Sequence, residues 1–144
     1  MEKNNTIQLL QECDSGTKMA VSSINEVLKD VKDAKLREIL QESKEQHENL
    51  GNEIHEMLNK QHAEGKEPTP IAKGMSWMKT NMKLSMEESD KTVADLITDG
   101  CNMGIKSLLR YKNEYKDADV SAVKMADRLV KIEEKLREAM RQYL

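Results

Sequence analysis

Residues 64–89 read EGKEPTPIAKGMSWMKTNMKLSMEES, and the length of this stretch decides how the rest of the chain is arranged. Its start, Gly65 to Pro70, is the one loop-like run, and both prolines of the chain lie in it. On either side run seams of apolar residues at helical spacing. Upstream, Ile7, Leu10, Asp14, Thr17, Val21, Ile24, Leu28 and Val31 alternate by three and four, which predicts a helix over 6–31 capped by Thr6 or Asn5. Leu36, Leu40, Ser43, His47, Leu50, Ile54 and Met57 predict a second over 34–63, opened by Asp33 and closed by Gly65. Downstream, Ala94, Ile97, Cys101, Gly104, Leu108, Tyr111 and Tyr115 predict a helix over 90–116, capped by Ser89 or Asp90. After a break at 117–119, residues 120–143 carry two adjacent stripes. One runs through Val123, Ala126, Val130, Glu133, Arg137 and Met140; the other runs through Met125, Leu129, Ile132, Leu136, Ala139 and Tyr143.

The connector has a pattern of its own. Ile71, Met75, Met78, Met82 and Met86 share a stripe, with Trp77 beside it, which predicts a short helix over 71–86. At 1.5 Å per residue the first helix is about 39 Å long. An up-down-up-down bundle needs only a tight turn between its second and third helices, whereas residues 64–89 are enough to run the length of the bundle. The expected architecture is all-α: a hairpin at 6–63, a crossover at 64–89 and a second hairpin at 90–144. A weak internal repeat is compatible with it. Cys13, Gly16, Lys18, Asn25 and Glu26 recur as Cys101, Gly104, Lys106, Asn113 and Glu114. Chance similarity between two amphipathic helices and a duplicated hairpin both account for the match.

Composition agrees. Of 144 residues, 34% are charged and 3% aromatic, with ten Met and no Phe, a mixture that suits long helices and excludes an all-β domain. The net charge of −3 leaves no basic footprint for nucleic acid. No apolar run reaches membrane-span length, and the opening MEKNNTIQLL lacks the features of a secretory signal. Two cysteines without metal spacing fit a reduced, cytoplasmic chain. Neither a glycine-rich phosphate loop nor a nucleophile motif is present.

The segments IQLLQECDSG (7–16), VKDAKLREIL (31–40) and ESKEQH (42–47), the Trp77 helix and DGCNMGIKSLLRYKNEY (99–115) together resemble the ferritin-like superfamily. The resemblance is nearest to small bacterial ferritin-like domains of unknown function, distant relatives of rubrerythrin. It implies a four-helix bundle with a long crossover, and a di-iron carboxylate centre. Such a centre takes an inward Glu from each of two helices and Glu-x-x-His from each of the other two. Here both half-motifs are broken: Lys44 stands three residues before His47, and Leu136 three after Glu133. The first helix offers Asp14, and the helix over 90–116 offers Cys101 or Asn102. His47, Asp14 and Glu133 are therefore weak metal candidates.

Two functional readings follow. One is a non-catalytic scaffold or interaction protein without cofactor; the other is an iron-binding oxidase or storage protein with a non-standard ligand set. For His47 the plain alternative is a core histidine bonded to Ser43 or to a carboxylate across the bundle. For Asp14 and Glu133 it is an ion pair with Arg137, Lys44 or Lys18. The methionine stripe reads as glue for the crossover helix. The double stripe on the last helix implies a homodimer or higher homo-oligomer, with Met125, Leu129, Ile132, Leu136 and Trp77 at the interface. On that expectation Leu129→Glu dissociates the oligomer without unfolding it, and light scattering gives a mass above 16.5 kDa.

Overall fold

A computed structural model describes residues 2–68 and 89–144. These form four long helices: α1 (Glu2–Leu28), α2 (Ala34–Lys60), α3 (Ser89–Glu114) and α4 (Val120–Met140), closed by a 3-10 turn at Arg141–Tyr143. There is no strand among the described residues, and no described helix is long and apolar enough to cross a membrane.

The helices pack as two pairs, α1 on α2 and α3 on α4; across the pairs α1 touches α3 and α4, and α4 touches α2. Their directions follow from side-chain contacts. The amide of Asp119 donates to Thr6 Oγ1 at 2.8 Å, and Gly16 lies against Leu129, so α1 and α4 run parallel. Glu53 meets Arg128 and His47 meets Glu133, so α2 and α4 run antiparallel. Each pair is antiparallel because its turn is short. It follows that α2 and α3 run parallel, with the end of α2 and the start of α3 at opposite ends of the bundle. Asp90 fixes the start of α3 against the α1–α2 turn, accepting from the amides of Lys32 at 2.7 Å and Asp33 at 3.1 Å. The connector therefore joins points separated by the bundle's length. The predicted helix at 71–86, Trp77 and the methionine stripe lie outside the described residues.

Several boundaries move. Asp33 caps α2 as expected, its carboxylate accepting from the Leu36 amide at 2.9 Å. Helix α1, however, begins at Glu2 rather than near residue 6. Thr6 is not a cap; it is buried and its hydroxyl holds the α3–α4 turn through Asp119. Helix α2 ends at Lys60, and Gly65 does not close it. His62 does, in the left-handed region at φ 55°. The Ala63 amide donates to Leu58 O and the His62 amide to Asn59 O, the two bonds of a Schellman cap. Leu58, not Met57, is the buried residue of the last turn of α2.

The largest correction concerns α4. Its buried face is Ala122, Ala126, Leu129, Glu133, Leu136 and Met140, which draws on both predicted stripes. Leu129 is 1% exposed and Leu136 is 4% exposed, so both belong to the core and not to an outer interface. Met125 and Ile132 are half-buried and pack on the core's edge. The face lying between the stripes points inward because α4 touches all three other helices at once. Much of the apolar width is thus buried within one chain, while Val123, Met125, Val130 and Ile132 remain half-buried.

Two substitutions check this arrangement. Leu129→Glu buries a charge without a partner and is expected to lose helix content in circular dichroism rather than merely change mass. His62→Gly removes the cost of a side chain at positive φ and should raise unfolding stability by about 1 kcal/mol in urea titration.

Candidate functional site

The core is divided. One apolar cluster gathers Ile24, Val27, Leu36, Leu40, Ile97 and Met140; the other gathers Leu9, Leu10, Leu50, Ile54, Leu58 and Ala126. Between them in register lie the buried polar residues Asp14, Thr17, Ser43, His47 and Glu133. Gly51 allows the close approach there, since a Cβ on it would stand 3.1 Å from Thr17 Oγ1.

His47 is fully buried, and both its ring nitrogens are engaged. Nδ1 lies 2.8 Å from the Ser43 carbonyl oxygen, and Nε2 lies 2.8 Å from Glu133 Oε1. A carbonyl only accepts, so Nδ1 carries a hydrogen. In a neutral ring Nε2 would then present a lone pair to a carboxylate lone pair. The contact therefore requires one further proton, held on Nε2 or on Glu133. In either arrangement the pair is neutral overall and mutually satisfied. Both plain alternatives read from the sequence, Ser43 and a carboxylate across the bundle, are realised together.

Asp14 is also fully buried and belongs to a second cluster. Its Oδ2 accepts from the Lys66 amide at 2.8 Å and pairs with Lys18 Nζ at 3.0 Å; Oδ1 lies 2.8 Å from His55 Nε2. Burial works against the Lys18 ammonium, but Glu67 and Asp14 outweigh it and hold its pKa above the ordinary value. Lys66 is likewise raised, chiefly by its bond to Glu12. The loop after α2 lies directly on Asp14: a Cβ at Gly65 would stand 2.5 Å from Oδ2, so only glycine fits there.

The three predicted metal candidates thus fall into two separate clusters. Among the described residues, no group of three or more His, Cys, Asp or Glu side chains is disposed to hold a metal ion. Arg137 bonds Asn102 at 2.9 Å instead of pairing with a buried carboxylate. The cysteines are free and buried, one in each apolar cluster. Burial, followed by the nearby carboxylates of Glu12, Asp14 and Asp127, pushes the Cys13 thiol up to about 12. Burial and Glu133 push the Cys101 thiol higher. Both remain protonated at neutral pH and are poor nucleophiles and poor ligands.

The polar layer is flanked by two hollows. A cleft of about 520 Å³ between α1 and α2 is bordered by Asp14, His47 and His55. A cavity of about 160 Å³ between α1 and α3 reaches down to Cys101 and Glu133. The Asp14–Lys18 pair was visible in the sequence as a spacing of four on one helix. The roles of His55, Gly65 and Lys66 were not, because they depend on a loop folding back across α1. No protein-family profile, no curated protein and no solved structure matches this chain.

The coupling of His47 to Glu133 is testable by a double-mutant cycle in urea. Removing either partner alone (His47→Leu or Glu133→Leu) strands a buried polar group and should cost about 3–5 kcal/mol. The double replacement should cost far less than the sum of the two.

Proposed function

We propose that this chain is a ferritin-like helical bundle without a working di-iron centre, acting as a non-catalytic scaffold or interaction protein. One observation carries the reading. His47 and Glu133, the survivors of the two broken Glu-x-x-His motifs, use their inward-facing atoms on each other at 2.8 Å. A metal would have to break that bond and displace its proton. Asp14, the remaining candidate, is bound through Oδ2 to Lys18 and the Lys66 amide, with Oδ1 lying against His55. A nearby ammonium opposes a dication at that place. The ferritin-like topology draws support from the parallel course of α2 and α3, which a long crossover between two hairpins requires. The residues present do not fit a di-iron centre.

Anaerobic titration calorimetry with Fe(II) tests the proposal. Binding no tighter than about micromolar is expected, with folding independent of iron. Tight uptake of two Fe(II) per chain, lost in His47→Ala, would replace this reading with the iron oxidase or storage reading. A scaffold acts through association, and light scattering at two concentrations reads self-association directly. A mass fixed at 16.5 kDa would direct the search to a different partner chain.

A further inference from the structure

The cavity between α1 and α3 has a composition that the scaffold reading does not use. Its volume is about 160 Å³. Apolar cavities of about 150 Å³ take up a single six-membered ring. Among the described residues its walls are mainly apolar, with Ala20, Ile24, Ile97, Leu108 and Leu129, and Glu12 stands in the lining paired with Lys66. At its floor the lining turns polar, at Glu133 and Cys101. Glu133 is 7% exposed, and a Cβ at Gly104 would stand 3.6 Å from its Cδ and 3.7 Å from its Oε2. On the α3 side the Cys101 thiol hydrogen-bonds this carboxyl group, and position 104, having no side chain, adds no cover.

The charge state of the floor selects the ligand. His47 and Glu133 share one proton and are neutral as a pair, and Cys101 is held protonated. The other acid in the lining, Glu12, is already paired with Lys66, so a cationic amine entering here would bring a charge without a free counter-charge, at a large desolvation cost. An anion would meet the lone pairs of the carboxyl group. A neutral donor meets neither penalty, and can hydrogen-bond Glu133 while its apolar body fills the walls. We propose that the α1–α3 cavity is a binding site for a small neutral ring compound carrying one hydrogen-bond donor. The ring lies among Ile24, Ile97 and Leu129, and its hydroxyl donates to Glu133. Entry is from the side of Gly100 and Met103, both exposed, Met103 at 57%.

Three probes separate the parts of this claim: phenol, benzene and benzylammonium, each titrated into the full chain by calorimetry. Phenol is expected to saturate one site, benzene to bind roughly tenfold more weakly for want of the hydrogen bond, and benzylammonium not to bind. Gly100→Leu supplies the plug. A Cβ at Gly100 meets nothing within 4 Å, and replacing a mid-helix glycine favours the helix, so the variant is expected to fold and to lose phenol binding. If its circular dichroism shows lost helix, Ala20→Leu fills the same cavity from α1 and takes its place. Failure of phenol to saturate, equal binding of benzene and phenol, tighter binding of benzylammonium, or phenol binding that survives the plug would each overturn the proposal.

Discussion

A single proton organises the middle of this bundle. With Nδ1 committed to the Ser43 carbonyl, the 2.8 Å contact between His47 and Glu133 exists only if one more hydrogen is bound between them. That requirement joins α2 to α4 and sets a polar layer between two apolar clusters. It also holds Glu133 in place as the floor of one cavity and His47 as the border of the other. A buried pair of this kind adds little net stability compared with well-packed apolar residues, but it tolerates the loss of neither member.

The two ends of the bundle are held by a different device, in which side chains of one hairpin bond the turn of the other, mostly at its backbone amides. Asp90 accepts from the α1–α2 turn, while Tyr143 donates to Asp33 at 3.0 Å from the far end of the chain. At the opposite end Thr6 accepts from the α3–α4 turn. Turn amides that would otherwise face water are thereby used to fix hairpin on hairpin. The hydrophobic seams supply most of the burial, and these bonds and the central pair supply its alignment.

Much of this was legible in the sequence. The alternation of three and four along Leu36, Leu40, Ser43, His47, Leu50 and Ile54 reports α2's buried face directly; on α3 only Ala94, Ile97, Cys101 and Leu108 of the predicted seam are buried, joined by Val93 and Leu96, which it missed. Asp33 announced its own cap. The reading failed where a helix meets more than one neighbour. On α4 the apolar surface was divided into two stripes, and the core took the face between them, placing Leu129 and Leu136 inside. Periodicity measures the direction of an apolar face but not how many helices share it. The site was half legible: His47 and Glu133 stood out as seam polar residues, and their union did not, since it spans 86 positions. His55 and Lys66 carried no local signal at all.

The unlike identity of the two buried partners has a consequence for which hairpins can pair. Two similar hairpins within one protein invite exchange, in which the first hairpin of one molecule pairs with the first hairpin of the next. In that arrangement His47 would face the seam of another α2, whose buried positions are Leu36, Leu40, Ser43, His47, Leu50 and Ile54. No carboxylate stands on that seam, so His47 would lose its acidic partner and find at best the Ser43 hydroxyl of the other copy. Sliding by one residue moves the contact by about 1.5 Å and offers no rescue. The acid on one half and the base on the other thus favour pairing of the two unlike hairpins over pairing of two like ones.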